Sequence, residues 1–116
     1  MSDDLKNAND AYFKGDYESA LHKFRLLAAQ KDAHSQYSLG VMYRDGHGVT
    51  QDYDAAIEWF RLSAEQGFRE AQYNLGAMYD QGLGITQDSV QAVKWLRLSA
   101  EQGFDWAQYD LGKRCE

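Results

Sequence analysis

The side chains in this sequence that could do chemistry are three histidines, two serines that repeat in register, one cysteine and two Gly-x-Gly loops. His22, His34 and His47 would be metal ligands or general bases if two of them shared a face. They fall on different segments, and no pair has metal-ligand spacing. Ser63 and Ser99 stand beside alanines with no histidine placed to activate them, so neither is expected to be a nucleophile. Gly46-His47-Gly48 and Gly82-Leu83-Gly84 lack the lysine of a phosphate loop and follow no strand, so helix-cap turns are the reading for both.

Cys115 has Lys113 and Arg114 as its nearest charges, and its register with two tyrosines points to a packing slot rather than a reactive thiol. A single cysteine closes no intramolecular disulfide, which fits a reducing compartment. The carboxylates are spread along helices at pairing distance from Arg61, Lys94 and Arg97, which describes a solvated face. The sequence therefore predicts no enzyme, no cofactor and no metal site.

The net charge of −6 repels phosphate backbones, so no nucleic-acid partner is expected and a basic protein face suits the chain better. With 26% charged and 44% hydrophobic residues, the composition is that of a folded, soluble chain rather than a disordered one. No run approaches the roughly 18 apolar residues that span a bilayer, and Met1-Ser2-Asp3-Asp4 opens no basic, apolar leader. The expectation is a cytoplasmic protein without membrane association.

The elements that carry these residues come from a repeat. Residues 35–70 and 71–106 align without gaps, about 21 of 36 positions being identical, and a third copy begins at Ala107. Within one copy Ala71, Leu75, Met78 and Tyr79 fall on one helical face. Gly46 and Gly82 stand where that helix needs a left-handed cap. Asp52 and Asp88 stand as N-caps of a second helix, with Gln91 spaced to complete a capping box. The second helix carries Ala56, Trp59 and Ser63, or Ala92, Trp95 and Ser99, on its inner face. Glu58, Arg61 and Glu65 lie outside at ion-pair spacing.

Gly40 and Gly76, mid-helix, each cost roughly 1 kcal/mol against alanine, a cost that close approach of a neighbouring helix would offset. One hairpin cannot bury both its apolar faces, so hairpins must stack. Residues 1–32 read as a shorter hairpin turning at Lys14-Gly15-Asp16, followed by repeats at 33–68 and 69–104 and a closing helix at 105–116. The prediction is one all-α domain, a solenoid of stacked hairpins with about seven helices.

The string A-x-Y-x-L-G-x-M-Y-x-x-G-x-G-V/I-T-Q-D-x-x-x-A-x-x-W-x-x-x-S-A-E-Q-G resembles the Sel-one-like repeat (SLR), over Ser35–Glu70, Ala71–Trp106 and the start of the next copy. The first unit, with Gly15-Asp16-Tyr17 and Ala20, is more similar to a tetratricopeptide repeat. The resemblance implies a right-handed α/α superhelix whose first helices line a concave groove, and a role as adaptor or scaffold. Two departures stand out: the chain lacks the cysteine pairs of some secreted members, and Cys115 replaces the tyrosine found at Tyr43 and Tyr79.

The groove positions of the related tetratricopeptide fold carry over around each small mid-helix residue. Around Ala8 they give Leu5, Asn9, Tyr12 and Phe13. Around Gly40 they give His34, Tyr37, Val41, Arg44 and Asp45. Around Gly76 they give Glu70, Tyr73, Ala77, Asp80 and Gln81, and around Gly112 they give Trp106, Tyr109, Lys113 and Glu116. The ladder Tyr37/Tyr73/Tyr109 either offers anchors to a partner or packs successive first helices together; both readings stand at this stage. Residues that break the repeat, Arg44, His34 and Trp106, are the specificity candidates.

The function expected is a monomeric module that holds a protein or peptide in this groove. The alternative is a scaffold piece that self-associates or belongs to a longer array.

Overall fold

A computed structural model describes residues 3–114 as seven α-helices, with no strand among them. They are α1 (Asp3–Phe13), α2 (Tyr17–Ala29), α3 (Ala33–Asp45), α4 (Tyr53–Glu65), α5 (Arg69–Gln81), α6 (Ser89–Glu101) and α7 (Asp105–Arg114). Cys115 and Glu116, for which the sequence suggested a packing slot and a groove position, lie outside the described residues. Each helix packs on the one before and the one after it, which gives a solenoid measuring 43 × 28 × 23 Å. None of the helices is long and apolar enough to cross a membrane.

The Gly-x-Gly loops do two separate things. Gly46 and Gly82 cap α3 and α5 at φ of 72° and 68°, a conformation only glycine adopts without strain. Gly48 and Gly84 sit where a Cβ would come within 2.8 Å of Tyr17 and 2.4 Å of Tyr53, so each loop is pressed against the hairpin before it. The Thr-Gln-Asp run then closes the loop. Gln51 and Gln87 each donate a 2.7 Å side-chain hydrogen bond to a carbonyl in the last turn of the first helix, at Arg44 and Asp80.

Asp52 and Asp88 cap α4 and α6, as the sequence indicated, by accepting from Ala55 N at 3.1 Å and from Val90 and Gln91 N at 3.0 and 3.1 Å. The capping box does not form. The N–H of Asp88 donates to the Tyr79 carbonyl instead (3.0 Å), and that of Asp52 to Tyr43 (2.8 Å), because the loop folds back on the preceding helix end and reaches those donors first.

The interior is a row of small and large residues in register. Ala20, Ala56 and Ala92 are fully buried, as are Leu39, Leu75, Phe60 and, within 1%, Phe24 and Leu96. Gly40 lies under the Phe60 ring and Gly76 under the Ala92 carbonyl and Leu96, the close approach that mid-helix glycine predicted. Ser63 and Ser99 are fully buried and donate within their own hairpins, from second helix to first, to the carbonyls of Ala33 (2.7 Å) and Arg69 (2.8 Å), a structural use of both hydroxyls. Gln66 and Gln102 repeat the device, each reaching a backbone carbonyl and the side-chain oxygen of Gln36 or Gln72.

The outer face differs from the sequence expectation in one respect. Glu58, Arg61 and Glu65 are exposed as predicted but form no ion pair among the described residues. Arg61 reaches across to the hydroxyl of Tyr79 (3.0 Å), and Arg25 to that of Tyr43 (2.9 Å). An exposed pair along one helix gains little against solvent and side-chain entropy, whereas this bond links consecutive hairpins.

Candidate functional site

The first helices α1, α3, α5 and α7 bring their side chains together around three adjoining hollows. The first, about 280 Å³, lies between α1 and α3 and is walled by Asn9, Tyr12, Phe13, His34, Tyr37 and Val41, with Phe24 and Ser38 completing it. The second, about 820 Å³, draws on three successive first helices: Tyr37 and Arg44 from α3, Tyr73, Ala77 and Gln81 from α5, and Trp106 from α7. The third, about 500 Å³, is bounded by Tyr73, Trp106 and Tyr109 with Asp105 and Asp110. Tyr37 borders the first two hollows and Tyr73 the last two, so the tract is continuous.

Of the eighteen predicted groove positions, twelve border these hollows; Leu5 is buried in the core, Glu116 lies outside the described residues, and Asp45, Glu70, Asp80 and Lys113 border none of the three. The reason for two of them is electrostatic. Asp45 takes a two-pronged bond from Arg44, at 2.9 and 3.1 Å, and Glu70 takes the Arg69 Nε at 3.1 Å. The Arg44 guanidinium holds the Asp45 carboxyl below its ordinary value, against the opposing effect of partial burial. Arg44 also donates to the side-chain oxygen of Asn74 and stands 5.8 Å from the centre of the Phe60 ring. Asn74 is itself anchored, donating to the Glu70 carbonyl at 2.7 Å. Lys113 lies with its ammonium 5.4 Å from the Tyr109 ring centre. Asp80 is half-buried at the end of α5.

Two of the ladder tyrosines pack on the next hairpin, and all three border a hollow. Tyr37 packs on Phe68, centroids 5.3 Å apart, and Tyr73 on Phe104 at 5.2 Å, so each is fixed by the phenylalanine that begins the next first helix. Each also borders a hollow. Burial raises the hydroxyl pKa of Tyr12, Tyr37 and Tyr73. Tyr109 has no such phenylalanine against it and is 67% exposed; Trp106, edge-on to Tyr73 at 6.1 Å, is 68% exposed.

Sequence reasoning passed over Phe68, Phe104, Arg69 and Asn74. Phe68 and Phe104 carried a visible signal, since both follow Glu-Gln-Gly exactly one repeat apart. Arg69 and Asn74 carried none, because their use depends on how far one hairpin is rotated on the next. His47, set aside as a loop residue, stacks on Tyr17 at 4.8 Å and bonds the Tyr12 hydroxyl at 3.0 Å, tying the second hairpin to the first. Among the described residues no three His, Cys, Asp or Glu side chains cluster as metal ligands.

The arrangement offers aromatic faces, tethered guanidinium groups and carboxylates along an open tract, which is the chemistry of recognition.

Residues 33–68 and 69–104 each match the Sel1 repeat family. No curated protein matches the chain. Among solved structures, the Sel1 repeat protein from Oxalobacter formigenes superimposes with a TM-score of 0.90 at 37% identity, over 94% of this chain and 45% of that one. The c5321 protein, a protective antigen of uropathogenic Escherichia coli strains with an SLR fold, gives 0.89 at 40% identity, over 95% and 24%. Helicobacter pylori cysteine rich protein B gives 0.74 at 19% identity, over 78% and 68%, a likeness of fold alone. The chain thus spans less than half the length of the first two.

Proposed function

Because this chain belongs to the Sel1 repeat family, we propose that it is a non-catalytic adaptor whose first-helix groove holds an extended segment or a helix of a partner protein. Sel1 repeats are in general protein-interaction modules. The observation that supports a groove here is the hollow of about 820 Å³ to which three successive first helices contribute, with Tyr37, Tyr73 and Trp106 along it. Aromatic side chains bury a large area at small entropy cost, and such residues dominate binding energy where they are found in interfaces.

The partner we envisage has a basic face. Arg44 and Arg69 are occupied by neighbouring carboxylates, while Asp105 and Asp110 border the third hollow. A groove on three hairpins buries less than the roughly 1,600 Å² of a standard interface, so micromolar affinity is the expectation. The working form is a monomer, and the lone cysteine agrees with a cytoplasmic setting.

Affinity capture with the full chain as bait, followed by mass spectrometry, identifies the partner. The same capture is then repeated with Arg44, Tyr73 and Trp106 all changed to alanine. Loss of that partner from a variant that keeps its helical circular dichroism supports the reading; full retention overturns it.

A further inference from the structure

The hollow between α1 and α3 and the space between α3 and α5 are successive copies of one site, open in the first and filled in the second. Three wall residues on the later helix recur 36 residues apart: Tyr37 with Tyr73, Ser38 with Asn74 and Val41 with Ala77. The second helices add Phe24 and Phe60, at the same interval. Between α3 and α5 the chain supplies its own occupant. The Arg44 guanidinium, from near the end of α3, stands 5.8 Å from the Phe60 ring centre and donates to the Asn74 side-chain oxygen.

Between α1 and α3 that place is a hollow of about 280 Å³. Near the end of α1 stand Tyr12 and Phe13 in place of an arginine. Tyr12 does not turn inward to fill the space, because its hydroxyl is bonded to His47 Nδ1 at 3.0 Å and its ring lies against Tyr17, centroids 5.4 Å apart. Phe13 stands edge-on to Tyr12 at 5.6 Å and is 82% exposed. The hollow is thus bordered by four aromatic rings, those of Tyr12, Phe13, Phe24 and Tyr37, and by the polar side chains of Asn9 and Ser38. Its wall holds no lysine or arginine.

We propose that this hollow is a specificity subsite of the groove and takes an arginine side chain of the partner, as Arg44 fills the next copy. The inference rests on the groove reading above and names one residue of the segment held there. Aromatic faces attract a cation, and a planar guanidinium stacks on them while donating to neighbouring oxygens, which a lysine ammonium does less well. The net charge of −6 favours a cationic occupant. A leucine in the same place would cover the Asn9 and Ser38 oxygens without bonding them.

The test uses the full chain, isotope-labelled for NMR, and the peptide acetyl-Gly-Ser-Arg-Ser-Gly-amide as probe. Saturable shifts in the millimolar range are expected at Ser38, Val41 and the Tyr12 and Phe13 rings. Replacing the peptide's arginine by citrulline, its neutral isostere, should weaken binding roughly fivefold or more, and lysine should bind more weakly than arginine. Phe13→Ala should weaken binding roughly threefold, and Tyr12→Arg, which puts the chain's own guanidinium beside Ser38, should abolish it. Circular dichroism checks that each variant keeps its helices; should Tyr12→Arg lose them, Phe13→Ala and the citrulline peptide decide. No saturable shift, a leucine peptide that binds as well as the arginine one, or shifts centred on Asn74 and Trp106 instead, each overturns the proposal. The measurement needs no natural partner, so its outcome is independent of the capture experiment with Arg44, Tyr73 and Trp106 changed.

Discussion

A Cβ built on Gly40 would lie 2.6 Å from Cδ1 of Phe60, nearer than atoms of two side chains can approach. The ring is fully buried and has little room to withdraw. Gly40→Ala should therefore destabilise the fold by about 2 kcal/mol despite the better helix propensity of alanine. Gly76→Ala, meeting Leu96 and the Ala92 carbonyl at 3.1 Å, should also destabilise. Gly112→Ala meets nothing, and near a helix end should gain up to about 1 kcal/mol. Urea unfolding of the three variants, at unchanged m-value, gives the order directly.

Lys31 turns from α2 into α3 at φ of 68°, at the place held one and two repeats later by Gly67 and Gly103. A left-handed conformation costs a side-chain-bearing residue roughly 1–2 kcal/mol. Part of that is recovered on replacing it with glycine, which loses more freedom on folding. Lys31→Gly should raise stability by about 0.5–1 kcal/mol. A midpoint in urea below that of the native protein would contradict the account of this turn.

Tyr12, Tyr37 and Tyr73 should ionise later than an ordinary tyrosine, chiefly because burial disfavours the phenolate. Where the folded pKa exceeds the unfolded one, the stabilisation is complete below pH 10 and is lost as pH rises through the raised folded values. Absorbance at 295 nm should show a late-ionising subset, and Tyr37→Phe should shrink it. Unfolding free energy should fall above pH 10 and fall less steeply in that variant.

Partner binding should weaken as salt rises, through slower association, if carboxylates such as Asp105 and Asp110 steer a basic segment. Asp105→Asn with Asp110→Asn should flatten that salt dependence with little change in folding stability. Trp106→Ala should reduce affinity tenfold or more, the loss characteristic of a central aromatic anchor. Its 68% exposure keeps the cost to the fold small. Surface plasmon resonance on the captured partner reads both; a salt-independent association rate contradicts the basic-face reading.

Recurrence decided what could be read in advance. The Asp52 and Asp88 caps, the left-handed Gly46 and Gly82 and the small residues beneath Phe60 and Leu96 each appear at a 36-residue interval. A repeated local signal states both its conformation and its neighbours. What was missed lies beyond the helix that carries each residue. Arg61 was assigned to carboxylates on its own helix and reaches Tyr79 on the next; Asp88 was assigned to a capping box and its N–H serves Tyr79 instead. Both errors came from looking for partners within the same helix, whereas that of Arg61 lies on the next hairpin and that of the Asp88 N–H on the helix end to which its loop folds back.

The groove shows the same division. Residue types along the first helices named Tyr37, Arg44, Tyr73 and Trp106, but whether the tyrosines faced a partner or a neighbour had no answer in one dimension. The docking of Phe68 and Phe104 against them shows that Tyr37 and Tyr73 pack on the next hairpin while still bordering the hollows.

The amino-acid sequence by itself determined the helices, their ends, their order and the need to stack, because propensity, capping and apolar periodicity act within a few residues of each position. Only the tertiary structure decided which hydroxyls, amides and guanidinium groups are used up in junctions and which remain on the surface. Those assignments depend on the offset and rotation between packed helices, which side-chain volumes at Gly40, Phe60, Gly76 and Leu96 set jointly and no single segment encodes.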